Sequence, residues 1–165
     1  MVPVALLCLA GVIINPLTGE TFTATAGGGA MCDGEPIHVS ETAALADAVV
    51  ASGFGMQNTP QLVDENVANF GRFVNHIGGF RRFGSAALDM CMVARGVVDL
   101  YFERGVKAWD VCAGTVIVRE AGGVCVDPYG VAPCGLLIDR VLCGPASLCE
   151  GLSSLLETPA DLAAP

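Results

Sequence analysis

The sequence predicts a mixed fold, α+β passing into α/β, with antiparallel hairpins first and alternating strands and helices after them. Three observations carry this. Residues 1–40 contain short apolar runs separated by tight-turn residues. Beyond Ser40, strand-like runs alternate with segments of helical periodicity, the pattern of βαβ units with parallel strand pairs. Hydrophobic residues make up 53% of the chain and charged residues 15%, a balance that excludes disorder and demands a well-covered core. At 165 residues the chain has the length of one ordinary domain and buries roughly 70% of its unfolded surface.

Each element follows from local chemistry. Val4–Leu9 and Gly11–Ile14 read as strands, and Asn15-Pro16-Leu17-Thr18-Gly19 as the turn after them. Thr21–Thr25 alternates, with Phe22 and Ala24 on one face. Gly27–Gly29 and Cys32-Asp33-Gly34 flank a short strand at Ala30–Met31, and Ile37–Val39 closes the antiparallel region. Ala43–Asp47 reads as a short helical turn and Ala48–Ala51 as a strand ending at Gly53-Phe54-Gly55. Thr59-Pro60 begins a helix, Thr as N-cap and Pro in the first turn, with Leu62, Val63, Val67, Phe70 and Val74 at helical spacing. Ser85 caps a helix over Ala86–Ala94 that stops at Gly96. Val97–Phe102 is a strand, and Asp110 caps a helix running to Ala121 and stopped by Gly122-Gly123. Val124–Val126 and Val141–Cys143 are strands, and Ala146–Leu156 is the last helix. The organisation expected is an antiparallel sheet over residues 1–40, an α/β part over 41–157 and a frayed Pro/Ala-rich tail over 158–165.

The bulk numbers exclude several function classes. Eight Lys+Arg stand against seventeen Asp+Glu, a formal charge of −9 with no basic cluster, so a nucleic-acid partner is not expected. Such a chain binds an anionic ester only through metal ions or helix N-termini. None of the eight cysteines forms a C-x-x-C pair and most lie in apolar segments. Buried free thiols in a reducing, cytoplasmic setting are expected rather than zinc or a disulfide framework. The apolar run at the N-terminus is too short to span a membrane and lacks the basic n-region of an export signal, so no membrane partner is expected.

The most informative stretch is residues 81–123. Trp109-Asp110 is followed by Ala113-Gly114 and then by Glu120-Ala121-Gly122-Gly123. Taken alone, Asp110 reads first as a helix cap, contributing about 1 kcal/mol, and Trp109 as a packing residue. The segment also resembles, at every fixed position, the W-D-x-x-A-G-x-x-I-x-x-E-A-G-G signature of the inositol monophosphatase family. Arg82-Phe83-Gly84-Ser85-Ala86-Ala87 is similar to that family's R-x-G-S/T-A-A segment, and Asp99-Leu100-Tyr101-Phe102-Glu103 to its D-x-Y-x-E strand. Gly11–Pro16, Glu20–Thr25 and Gly29–Pro36 resemble its hairpins, so the similarity covers most of residues 2–157.

The resemblance implies a partial inositol monophosphatase-like layered sandwich, and a Mg²⁺-dependent hydrolase of a small polyol phosphate, working as a homodimer. It implies that Asp110 is a magnesium ligand, that Gly84, Ser85 and Ala86 line the substrate polyol, and that Glu103 accepts hydrogen bonds from its hydroxyls. Glu103 also reads as a solvated charge at a strand end. The loop Ser52–Gly55 borders the same pocket without an assigned role. The family draws its remaining metal ligands from an upstream glutamate pair and a D-P-x-D-G-T motif, and this chain contains neither: Asp33-Gly34 is a hairpin turn, and Asp64-Glu65 lies mid-helix, where solvent exposure is expected. Met1 falls where a family member would already have finished its metal loop. No catalytic centre is therefore intact, and the expectation is a truncated chain with little or no activity alone. The alternative is a non-catalytic pseudo-enzyme or partner-binding fragment of the same fold.

Overall fold

Alternation of small apolar and polar residues in the first part of the chain produces a four-stranded antiparallel sheet. Its strands, in spatial order, are β1 (Ala10–Ile14), β2 (Thr21–Thr25), β3 (Gly29–Cys32) and β4 (Glu35–Pro36). Ile14 pairs with Thr21 and Phe22 with Cys32, so Phe22, Ala24, Ala30 and Cys32 share the buried face. The β3–β4 turn is Asp33-Gly34, both at positive φ (52° and 85°), as a two-residue hairpin of right-handed strands requires. The computed structural model describes residues 8–53, 59–131, 139–159 and 162. The strand expected at Val4–Leu9 therefore lies mostly outside the described residues, as does the end of the loop at Phe54-Gly55. Ile37–Val39 is not a strand. Ile37 N–H donates to Ala30 O (3.0 Å) and Val39 N–H to Ala121 O (3.0 Å), which draws the chain off the sheet toward a helix end.

The second sheet has five strands: β5 (Val49–Ser52), β6 (Gly79–Arg81), β7 (Leu100–Arg104), β8 (Val124–Val126) and β9 (Arg140–Gly144). Their order is β6-β5-β7-β9-β8, with β5 parallel to β6 and β7, and β9 antiparallel to β7 and β8. The helices are α1 (Pro60–Phe73), α2 (Ala86–Ala94), α3 (Ala108–Glu120) and α4 (Ala146–Ser153), the last shorter than expected. Thr59 caps α1 and accepts from Leu62 N–H at 3.3 Å, and Ser85 caps α2, as their residue types dictate. Gly96 takes φ 71° after α2, and residues 97–99 turn the chain, so β7 starts three residues later than its sequence suggests.

Layering follows from the faces of β7 and β9. Tyr101, Val141 and Cys143 point between the sheets, where α2 and α3 pack with Met90, Ile117, Val118 and Phe22. Leu100, Phe102 and Leu142 point outward onto α1 and α4, meeting Phe73, Leu148 and Leu152. Each such side chain, fully removed from water, contributes about 1.5–3 kcal/mol before entropy is counted. Close helix packing needs small residues. A Cβ on Gly11 would sit 2.6 Å from Ala113 O, and one on Gly114 would sit 2.7 Å from Met90 Sδ, so α3 is wedged between β1 and α2.

Buried charges on the outward face are paired. Arg140 grips Asp127 through Nε–Oδ1 (2.8 Å) and Nη2–Oδ2 (2.9 Å). Arg104 pairs with Glu65, which overturns the expectation of a solvent-exposed Glu65; Asp64 beside it is exposed. The described cysteines are free thiols. Cys32, Cys91, Cys125, Cys143 and Cys149 are buried as expected, but Cys8 and Cys112 are half-buried and face each other. Among the described residues no helix is long and apolar enough to cross a membrane.

Candidate functional site

Because β5 and β7 run parallel, with Ser52 opposite Phe102, their C-terminal ends reach the same sheet edge. That is where open α/β sheets collect ligands. Glu103 stands there, 8% exposed, which excludes the reading of a freely solvated strand-end charge. Residues two apart on a strand share a face, so Tyr101 lies beside it, and the phenol donates to Glu103 Oε2 at 2.6 Å. Burial, then the neighbouring Glu103 charge, pushes the Tyr101 hydroxyl well above its ordinary pKa, so it stays a donor. Gly53, just past β5, leaves the carboxylate its room: a Cβ there would lie 2.3 Å from Glu103 Oε2. The Ser52–Gly55 loop thus touches the candidate site through Gly53.

The helix α2 supplies the second wall. Gly84 takes φ 93°, which a side chain would strain, and hands the chain to Ser85 at φ −138°, ψ 107°. Ser85 Oγ accepts from Leu88 N–H at 3.4 Å. The first turn of any helix leaves N–H groups without intrahelical partners, and those of α2 lie at Ser85-Ala86, half-buried. Three residues on, Asp89 is fully buried and neither carboxylate oxygen has a hydrogen-bond partner among the described residues. Burial, with repulsion from Glu103, raises its pKa to about 7, against the opposing pull of Arg82. Sequence reasoning missed Asp89. The available signal was one acid inside the otherwise apolar run Ala86–Ala94.

Asp110 is not the cap of α3. Lys107 is, and Asp110 is the third helical residue, its Oδ2 accepting from Lys107 N–H at 2.8 Å. Trp109 does not pack: it is 81% exposed. Residues 105–107 alone separate β7 from α3, so Glu103 and Asp110 flank one short connection. Other signature positions build scaffold. Asp99 accepts from Ser40 Oγ (2.5 Å) and Val49 N–H (2.6 Å), fixing the start of β5 against β7. Glu120 accepts from Gly27 N–H (2.9 Å) and Gly29 N–H (3.0 Å), and these donors lower its pKa.

Asp110 offers an oxygen suited to a hard cation, but magnesium takes near-octahedral oxygen coordination. Among the described residues no group of three or more His, Cys, Asp or Glu is placed to hold a metal ion. The described residues therefore gather no complete magnesium site. A groove of about 550 Å³ at the far sheet edge, lined by Val124, Tyr129 and Cys149 among others, shares no residue with the cluster.

The match to the inositol monophosphatase family runs over residues 7–158. The chain belongs to that family. It is 40% identical over 146 residues to an inositol-1-monophosphatase of Synechocystis, covering 88% of this chain and 50% of the relative. It is 45% identical over 120 residues to Nus factor SuhB of Pasteurella multocida, covering 73% of this chain and 45% of the relative. The solved inositol monophosphatase of Anabaena superposes with a TM-score of 0.82 at 38% identity, over 89% of this chain and 57% of that one. The chain spans about half the length of the curated relatives it matches. The layered α+β fold is thus the family's, as the sequence predicts.

Proposed function

We propose that this chain forms the polyol-recognition side of a magnesium-dependent phosphate monoester hydrolase acting on an inositol phosphate. The observation that carries this is Glu103, buried at the C-terminal edge of β7, oriented by Tyr101 and given clearance by Gly53. A fixed carboxylate acceptor suits hydroxyls of a ring, and the N–H groups of α2 at Ser85-Ala86, below Gly84, suit its oxygens. Asp110 is one magnesium carboxylate, in the first turn of α3 across the short connection from Glu103. When bound, magnesium supplies an activated water and stabilises the departing alkoxide. The residues named here bind and orient the alcohol portion, and Asp110 needs acidic ligands beyond those that the described residues bring together.

The test has two arms. Calorimetry with inositol 1-phosphate should detect binding that Glu103→Gln weakens about tenfold, the scale of one charge-assisted hydrogen bond. Phosphate release by residues 1–165 with Mg²⁺ should stay near background. Release at ordinary enzymatic rates, abolished by Asp110→Asn, would show that a complete centre exists and overturn the incomplete-site reading.

A second reading rests on the outer side of β1. Val12 and Ile14 are each 59% exposed and Leu17 is 95% exposed, an apolar stripe of the kind that marks association. On this reading the chain acts by pairing with another subunit. Light scattering that shows a clean monomer, unchanged by Val12→Lys, would remove it.

A further inference from the structure

Cys8 and Cys112 lie 104 residues apart in sequence, yet their Sγ atoms are 3.0 Å apart. Two sulfurs in simple contact stand farther apart than this, and a disulfide needs about 2.05 Å, so roughly 1 Å separates the pair from a covalent bond. Their positions are fixed from both sides. Cys8 immediately precedes the first sheet, where Leu9 O accepts from Ala26 N–H at 2.9 Å. Cys112 adjoins Ala113, whose carbonyl lies 2.6 Å from where a Gly11 Cβ would be. The contact that seats β1 on α3 therefore also presses the two thiols together. Both are half-buried, so a small oxidant reaches them, whereas Cys91, Cys125, Cys143 and Cys149 are buried in the core.

We propose that Cys8 and Cys112 are an oxidative modification site, a dithiol that closes to an intramolecular disulfide when a peroxide is the oxidant. One thiol is oxidised to the sulfenic acid as hydrogen peroxide is reduced to water. The second sulfur then attacks it, forming the S–S bond and releasing the hydroxyl oxygen as a second water. The dithiol loses two electrons and two protons in all, and an added thiol returns them. The crosslink joins the segment before β1 to the second turn of α3, two residues past Asp110, and so ties the first sheet to the helix that carries that carboxylate. This is independent of the function proposed above.

Hydrogen peroxide treatment of the purified chain, alkylation of remaining thiols and peptide mapping test it directly. The expected result is one crosslinked peptide joining Cys8 to Cys112, lighter by two hydrogens, reversed by dithiothreitol and accompanied by a higher thermal midpoint. Cys8→Ser and Cys112→Ser should each abolish it, and Cys32→Ser should not. Full alkylation of both thiols after peroxide, separate sulfinic acids at the two positions, or a crosslink to another cysteine would each overturn the proposal. The wild-type map decides the matter even where a variant folds poorly.

Discussion

The two faces of the five-stranded sheet treat buried charge differently. On the face covered by α1 and α4, Arg140 is bound at two points by Asp127, Arg104 meets Glu65, and rings pack edge-on, Phe73 against Phe102 at 6.2 Å. On the face covered by α2 and α3, Asp89 is buried beside Glu103 without a hydrogen-bond partner among the described residues. A native fold rarely leaves a carboxylate in that state, since each unmade hydrogen bond costs about 1–3 kcal/mol. The first face pairs its guanidinium groups with carboxylates, and the one buried side-chain group of α1 left unpartnered among the described residues is the neutral amide Nδ2 of Asn66. The second keeps the Asp89 carboxylate buried beside Glu103, at a cost in stability.

The largest expected effect breaks the paired face. Asp127→Ala removes both short bonds to the buried Arg140, leaving it the 3.3 Å contact with the more exposed Asp139, and should cost about 3–5 kcal/mol in urea unfolding. Asp127→Asn, which keeps hydrogen-bond acceptance, should cost less. A loss under about 1 kcal/mol would mean that this face is no more dependent on pairing than an exposed ion pair.

The next effect sharpens the contrast. The folded-state pKa of Asp89, about 7, exceeds the ordinary 3.8. Its contribution to stability is therefore fully present below pH 4 and is lost as pH rises through 7. The loss should be roughly 2–4 kcal/mol between pH 4 and pH 8. Asp89→Asn should remove this slope while changing stability little at pH 4. An unchanged pH profile would show that Asp89 is ionised at low pH in the fold and that the two faces do not differ in this way.

The smallest effect concerns room rather than charge. Gly53→Ala forces the Glu103 carboxylate aside and should cost about 1–3 kcal/mol by overpacking, while reducing inositol 1-phosphate affinity as much as Glu103→Gln does. Calorimetry and thermal melts separate the two readouts. Unaltered affinity would mean that the clearance at Gly53 has no bearing on binding.

Much of this was legible in the chain. Thr59-Pro60 and Ser85 announce their helices because a capping side chain acts within three residues, and Gly96 announces a stop because few residues tolerate its φ. Glu103 and Asp110 were legible as a pair only through resemblance. What was hidden depends on distant partners. The strand β6, Gly79–Arg81, has no apolar run and exists because it pairs with β5. Glu65 is expected in solvent until Arg104 arrives from another element. Asp110 looks like a cap because helix entry at Lys107 carries no sequence signal of its own. The approach of Cys8 to Cys112 is a product of β1 packing on α3, which no local pattern encodes.

The helix α3 is held at both extremities by the same kind of bond. Asp110 at one end accepts from Lys107, and Glu120 at the other accepts from the glycine turn between β2 and β3. Its flank is locked against β1 and α2 by residues with no side chain to yield. A cation arriving at Asp110 would find its anchor already stiff, so occupancy there should show up as a change in affinity and hardly at all as a change in shape.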